Sequence, residues 1–319
     1  MEKKMKCKLF VQANDKQITG ALVAAYAAKR FSKNSSKFDI QIMHCDEFPL
    51  LRQKHGEKYL REGRWQVWRY DFLQSFTPTR FAPPALMDYT GRSVVIDPDV
   101  FFVEDIWDLF SRDMKGKAIL ARPVSRIAGE QKAWATSVML LDNEKLKHWD
   151  MDEQFNSLFE GVVDYEDWIS LRTEPEDIIG ELEPEWNDFD RLTRNTKALH
   201  NTFRRTQPWK CGLPIDFNSN NRILGIKGTK AIAKCVRYIF GDNVLKEKYR
   251  PHPDKNQENL FLSLVKEMLD KGEISREFLV DEMKKDHVRH DLFEVLSKAP
   301  TVEQVMNSIG KSHVSGDVL

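Results

Sequence analysis

Residues 7–43 place the strongest constraint on the fold. Cys7–Ala13 is an apolar, strand-like run, and ITGALVAAYAAKRF (18–31) puts Ile18, Leu22, Ala25 and Tyr26 on one helical face. Phe38, Ile40 and Ile42 then alternate with polar residues at the period of a strand. Strand, helix and strand in that order read as a βαβ unit, with parallel strands and a helix covering the sheet. A chain that opens this way is expected to be α/β, with its ligand beyond the carboxyl ends of the strands. No GxGxxG follows the first strand and no GxxxxGK[ST] occurs, which argues against a standard dinucleotide fold and a P-loop.

The sheet continues downstream. Val94, Val95 and Ile96 form a β-branched run typical of a buried strand, and ILARP (119–123) and ATSVMLLD (135–142) extend the pattern. Trp65, Trp68 and Phe72 fall at helical spacing and read as core packing, ahead of prolines that end any helix by residue 82. Asp105 is placed to cap a short helix carrying Ile106, Leu109 and Phe110. From residue 226 the pattern turns helical. KAIAKCVRYIF is followed by Leu260, Phe261, Leu264, Val265, Met268 and Leu269, with Gly272 as a stop. Thr301 and Gln304 form a capping-box pattern, with Gly310 ending that helix. The expected division is a sheet-bearing domain over 1–225 and a helical extension over 226–319.

Composition narrows the partners. Among 319 residues, Lys plus Arg and Asp plus Glu each number 49, so no overall field draws the chain to nucleic acid or an anionic membrane. The start, MEKKMKCKLFVQAN, lacks a signal-peptide stretch, and no run is long enough to span a bilayer, so a cytoplasmic protein is expected. Cys7, Cys45, Cys211 and Cys235 lack CxxC spacing and indicate neither a zinc site nor disulfides. His287 and His290, without an acid or thiol cluster, read as a solvated helix face.

The strand at 94–96 ends in Asp97-Pro98-Asp99. On an extended chain, side chains two apart share a face, so Asp97 and Asp99 can converge on one ligand. Both stay ionised there only with a cation beside them.

TRFAPPALMDYTGRSVVIDPDVFFVEDIWDLF (79–110) resembles the core of the retaining family 8 glycosyltransferases, the group containing glycogenin and bacterial lipopolysaccharide galactosyltransferases. The order is an arginine-bearing helix, a strand, D-x-D, a second strand and a short helix ending in Leu-Phe. The resemblance continues in WATSVMLLDNEKL (134–146), VDYEDWISL (163–171), LEPEWNDFD and KALHNTFRRTQPWK, with Trp186-Asn187, His200 and Pro208-Trp209 in the family's order. Four ordered segments over about two-thirds of the chain are far more specific than D-x-D alone.

The resemblance implies a GT-A fold: a Rossmann-like mixed central sheet flanked by helices, here with the C-terminal helical extension. It implies transfer of a sugar from a nucleotide diphosphate donor, a UDP-sugar, to a hydroxyl on a glycan or other acceptor. Asp97, Asp99 and His200 would hold Mn²⁺ or Mg²⁺. Gln12, Ala13 and Asn14 would line the uracil and ribose, and Arg80, Pro98, Trp209 and Lys210 would contact the donor. Asp167 would hold sugar hydroxyls, and Glu166 would stabilise the sugar's developing positive charge. Gln207 stands where the family has a diphosphate-binding lysine, leaving Arg204, Arg205 or Lys210 to replace it. Thr136-Ser137-Val138 replaces Asn-x-Gly-Val, which points to a donor other than the usual glucose or galactose. Two other readings remain open. Haloacid-dehalogenase-type phosphatases also place D-x-D after a buried strand, which would make Asp97 a nucleophile, with Gly241-Asp242 and Glu247 imitating their later acidic motif. A degenerate transferase fold would serve as a binding module.

Overall fold

The computed structural model describes residues 5–124, 132–217 and 247–309. Contacts divide the chain into two units, residues 1–200 and 201–319. The composition boundary expected at 225/226 lies outside the described residues, as do KAIAKCVRYIF, Cys235, Gly241-Asp242 and Gly310.

The first unit runs β1 (Cys7–Ala13), α1 (Ile18–Arg30), β2 (Asp39–His44), α2 (Pro49–Gln53), β3 (Lys58–Arg61), β4 (Arg64–Val67), α3 (Pro83–Leu86), β5 (Arg92–Ile96), β6 (Val100–Phe102) and α4 (Trp107–Phe110). It continues with β7 (Ile119–Pro123), β8 (Trp134–Asp142), α5 (Met151–Glu160), α6 (Tyr165–Ile169), β9 (Ile179–Glu181), β10 (Asp188–Phe189) and β11 (Ala198–His200). The main sheet has the order β2-β1-β5-β8-β7-β9, parallel across β2-β1-β5 and at β7-β9, antiparallel on either side of β8. It is a mixed α/β architecture with the expected βαβ opening. Val94, Val95, Ile96 and the run from Val138 to Leu141 are fully buried, as central strands covered on both faces require.

This topology gathers one edge. The parallel strands β1, β2 and β5 end at Ala13, His44 and Ile96, and antiparallel β8 begins on the same side because Ile96 pairs with Val138. A second sheet, β10-β11-β6, continues from β5 through the Asp97-Pro98-Asp99 turn. Asp105 accepts the Trp107 N–H at 2.9 Å and starts α4 as expected.

Two expectations change. Helix α1 has its expected length, but Ile18, Leu22, Ala25 and Tyr26 are only half-buried. The buried arc is Ala21, Val23, Ala24, Ala27 and Ala28. The helix packs against both β1 and β6, and small side chains allow that close approach. Trp65, Trp68 and Phe72, spaced as on a helix, do not share one, because residues 58–67 form a β-hairpin. Its two-residue loop, Glu62-Gly63, has positive φ at both positions (53° and 65°), the geometry that matches strand twist. Trp68 is buried as expected, whereas Trp65 is 54% exposed and its ring covers Gly161.

The second unit contains α7 (Lys255–Asp270), α8 (Arg276–Lys284), α9 (Leu292–Lys298) and α10 (Val302–Ser308). Helix α7 buries Leu260, Phe261, Leu264, Val265 and Met268, with Gly272 beyond its end at φ 71°. Leu269 is half-buried. Thr301 and Gln304 close the expected capping box on α10. His287 and His290 lie beyond the end of α8 and share no helix face: His287 Nδ1 meets Glu282 Oε2 at 2.9 Å, and His290 Nε2 meets Asp286 Oδ1 at 2.8 Å. Among the described residues no helix is long and apolar enough to cross a membrane.

Two stability tests follow from this packing. Gly91 has φ 67°, and a Cβ there would lie 2.2 Å from the Lys6 carbonyl oxygen, so Gly91→Ala is expected to lower stability by at least about 1 kcal/mol in urea denaturation. Burial works to raise the Glu282 carboxyl, but hydrogen bonds from His287 and Lys285 outweigh it and hold it below its ordinary value of 4.5. A depressed carboxylate contributes stability above its unfolded value and loses it as pH falls through the folded value. The stability gap between the wild-type chain and Glu282→Gln is therefore expected to be widest near neutral pH and to close below 4.5, read by denaturation at a series of pH values.

Candidate active site

The site begins where β5 leaves the main sheet. Asp97 N–H donates to the Ser137 carbonyl at 3.0 Å, and Val100 N–H returns to the Asp97 carbonyl at 3.3 Å. Pro98, buried at the second position, suits this turn. The turn, rather than extended alternation, brings Asp97 and Asp99 to one side.

Asp97 is only 6% exposed and needs a buried cation. Arg80 supplies it: Nη2 reaches Oδ1 at 2.6 Å and Oδ2 at 2.5 Å, and Nε reaches Oδ1 at 3.1 Å. The guanidinium is itself fixed. Nε donates to Gln12 Oε1 at 3.1 Å, and Nη1 donates to Thr136 Oγ1 at 2.8 Å. Thr136 Oγ1 in turn donates to the Ile169 carbonyl at 2.6 Å. Gln12 is oriented by its amide nitrogen, which donates to the Phe76 and Thr77 carbonyls and to Thr79 Oγ1. Burial pushes the Asp97 carboxyl up, Arg80 pulls it down and Asp99 pushes it up again; the net direction is upward.

His200 arrives from β11, whose register pairs His200 with Val100 and so sets the imidazole beside Asp99. Its Nδ1 lies 2.9 Å from Asn187 Oδ1, and Asn187 Nδ2 donates to Ser137 Oγ at 3.0 Å. An amide oxygen only accepts, so Nδ1 carries the hydrogen and Nε2 faces Asp99 Oδ1, 3.4 Å away. Burial tends to lower the imidazole's pKa, but Asp99 and Asp97 outweigh it and the direction is upward. One atom from each of Asp97, Asp99 and His200 lies within 4.8 Å of the others, so the three side chains named from sequence do converge.

The other candidates are placed as follows. Gln12 and Ala13 are fully buried at the end of β1, Gln12 holding Arg80. Asn14 is buried, its amide nitrogen donating to the Leu73 carbonyl and Ser75 Oγ while Oδ1 has no partner among the described residues. Glu166 and Asp167 lie on α6, outside the three-group cluster: Glu166 pairs with Arg61 at 2.6 Å and Asp167 with Arg172 at 3.0 Å. In the second unit, Trp209 is buried against Phe261, with ring centroids 5.0 Å apart, and Lys210 is fully buried in an ion pair with Asp216 at 2.5 Å.

Sequence reasoning did not assign roles to Asn187, Ser137 and Thr136. Asn187 was visible as part of Trp-Asn, but its contact with His200 comes only from folding. A second group, Asp15, His44 and Asp46, also clusters within 4.8 Å at the ends of β1 and β2. Its members already satisfy one another. His44 Nδ1 accepts the Asp46 N–H at 3.2 Å, which leaves Nε2 to donate to Asp15 Oδ1 at 3.2 Å. Asp46 is further bound by Arg52 and by the Tyr70 hydroxyl.

No family model matches this sequence, and no curated protein matches it. Among solved structures, the glycosyltransferase GlyE of Streptococcus pneumoniae TIGR4 is similar over 64% of this chain, with 16% identity and a TM-score of 0.45. The chain spans 56% of the length of GlyE. The galactosyltransferase LgtC, solved with donor and acceptor sugar analogues, is similar over 63% of this chain and 89% of its own, with 14% identity and a TM-score of 0.41. Mouse xyloside xylosyltransferase 1 is similar over 62% of this chain and 98% of its own, with 13% identity and a TM-score of 0.41.

The Arg80–Asp97 pair lends itself to a double-mutant cycle. Arg80→Met leaves a buried carboxylate without its cation and is expected to cost about 3–5 kcal/mol of stability. Combining it with Asp97→Asn is expected to restore much of that loss. Urea denaturation of the four proteins measures the coupling.

Proposed function

We propose that this chain is a metal-dependent glycosyltransferase that moves a sugar from a nucleotide diphosphate donor, a UDP-sugar, to a hydroxyl acceptor on a glycan, with retention of configuration. The observation that carries the reading is the convergence of Asp97, Asp99 and His200 with the imidazole's Nε2 turned toward a carboxylate. A proton on Nε2 meets Asp99 in the metal-free chain, in keeping with the raised imidazole pKa, and a divalent ion at the same convergence point would take that proton's place. Two carboxylates and one neutral imidazole are a donor set that suits Mn²⁺, and also Mg²⁺. Bound there, the ion supplies Lewis-acid stabilisation for the charge that develops on the departing diphosphate.

The chain's own residues tune that site. Arg80 offsets one of the two carboxylates, so the ligand set would present about one net negative charge to a divalent ion. Asn187 accepts the Nδ1 hydrogen and so fixes Nε2 as the nitrogen that faces Asp99 and would ligate an ion, and Ser137 holds Asn187. Gln12 and Thr136 keep Arg80 on Asp97. In this reading Asp167 binds sugar hydroxyls and Glu166 stabilises positive charge on the sugar. The reaction then depends on positioning and electrostatics and needs no protein nucleophile. Retention and the UDP-sugar donor rest on the sequence resemblance.

The phosphatase reading is not favoured, because Asp97 converges with Asp99 and with an imidazole as a cation-binding set.

The test is to incubate the purified chain with a panel of UDP-sugars and Mn²⁺, following nucleotide binding, hydrolysis and transfer. Asp99→Ala is expected to abolish turnover. Asn187→Ala is expected to weaken Mn²⁺ binding by about 10–100-fold, read by metal titration, while the fold is retained. Absence of nucleotide binding together with no effect of Asp99→Ala would sink the proposal. Retained UDP and Mn²⁺ affinity without turnover on any acceptor would make the chain a binding module.

A further inference from the structure

Arg122, near the end of β7, is a cation with no role in the proposed transfer. It stands at an irregularity in the β7–β8 ladder. Ala121 lies opposite Met139, but Arg122 lies opposite Ala135, so Thr136, Ser137 and Val138 of β8 have no partner on β7. Bulges of this kind re-aim side chains. Here Thr136 Oγ1 accepts from Arg80, and Ser137 Oγ accepts from Asn187 Nδ2. Arg122 reaches the same asparagine through its backbone: Nη1 donates to the Asn187 carbonyl at 2.5 Å.

A second contact places the guanidinium. Its central carbon lies 4.0 Å from the centroid of the Phe189 ring, a cation–π distance. Phe189 pairs with His200 across β10 and β11, and their rings meet edge to face, with centroids 5.4 Å apart and planes at 74°. Arg122 is thereby held one aromatic ring away from an imidazole of the three-group cluster.

What this half-buried side chain lacks is an anion. Among the described residues no carboxylate lies within ion-pair distance of Arg122, whereas Arg61, Arg80, Arg112 and Arg172 each have one. Nε and Nη2, the donors along one side of the guanidinium, meet no acceptor among the described residues, and neither is sealed from solvent. Burial lowers the pKa of the group, and the more distant carboxylates of Asp188 and Glu185 do not restore it. A guanidinium nevertheless stays charged, so its desolvation is offset only by one carbonyl and one ring. The Nε–Nη2 edge is the geometry that takes a carboxylate or a phosphate through two parallel hydrogen bonds.

We propose that Arg122 binds an anionic oxygen group of the substrate, through Nε and Nη2, beside the metal-ligand group. As a statement about donor or acceptor it rests on the transferase reading above. The shared chemistry has two sources there: the diphosphate of the nucleotide, or the carboxylate of an acidic sugar. The first would supply the cation missing at Gln207. Of the replacements named from the sequence, Arg205 is paired with Glu247 and Lys210 with Asp216.

The experiment titrates the full chain, Arg122→Met and Arg122→Lys by calorimetry with pyrophosphate, glucuronate, UDP, UDP-glucose and UDP-glucuronate, each with and without Mn²⁺. Arg122→Met is expected to weaken at least one of these anions about tenfold, the loss of a charge-assisted pair. Arg122→Lys is expected to weaken the same anion less, because it keeps the charge without the fork. Mn²⁺ affinity without any anion is expected to be the same in all three proteins. A loss shared by pyrophosphate, UDP and UDP-glucose assigns the diphosphate; a loss confined to glucuronate and UDP-glucuronate assigns a carboxylate. Arg122→Lys carries the comparison if Arg122→Met does not fold. The proposal is overturned if the unaltered chain binds none of the anions or if neither substitution weakens any of them. It is also overturned if Mn²⁺ affinity falls by the same factor, which would make Arg122 a support for Asn187. The transferase reading fails separately: a chain that binds pyrophosphate or glucuronate through Arg122 but no UDP would sink that reading and leave this one standing.

Discussion

A carboxylate at the end of a buried strand must find a cation, and Asp97 finds Arg80. The pair is expensive: desolvating two charges costs several kcal/mol, and an apolar pair of the same shape would often be more stable. What the pair contributes is geometry. Through one guanidinium, β1 (by Gln12), β5 (by Asp97), β8 (by Thr136) and, beyond Thr136, the end of α6 are held in a single hydrogen-bonded network. Each member is bonded on more than one side, so Asp97 has little freedom to turn away from Asp99.

The third side chain depends on register. His200 lies about a hundred positions along the chain from Asp99, and only the β6–β11 ladder, with Val100 opposite His200, brings them together. A slip of one residue would turn the imidazole to the other face of that small sheet. The Asn187–Ser137 link then orients the imidazole, so the direction of Nε2 follows from a contact between a 3-10 turn and β8.

Much of the framework was legible in the sequence because its signals are local. Apolar runs gave β1, β5, β7 and β8. The capping box at Thr301 and the stripe from Leu260 to Met268 appear in the structure as expected. Other features were hidden for identifiable reasons. The buried side of α1 was misread because a helix wedged between two sheets buries its small residues, while an amphipathicity argument favours its large ones. The hairpin at 58–67 was missed because Trp65 and Trp68 suggested a helical period, when the informative pair was Glu62-Gly63, whose positive φ values permit a tight turn.

By itself, the sequence determined an α/β chain with a buried strand that ends in two acids, which follows from periodicity and residue type, properties of short stretches; the later Trp-Asn and His segments entered only through the resemblance to a known family. The tertiary structure alone decided that Arg80 faces Asp97, that Asn187 fixes the ring of His200, and that Glu166 pairs with Arg61 and Asp167 with Arg172 outside the three-group cluster. Those are contacts between residues tens of positions apart, or between side chains whose rotamers are set by packing, and no local pattern encodes which partner a charged or amide group will meet.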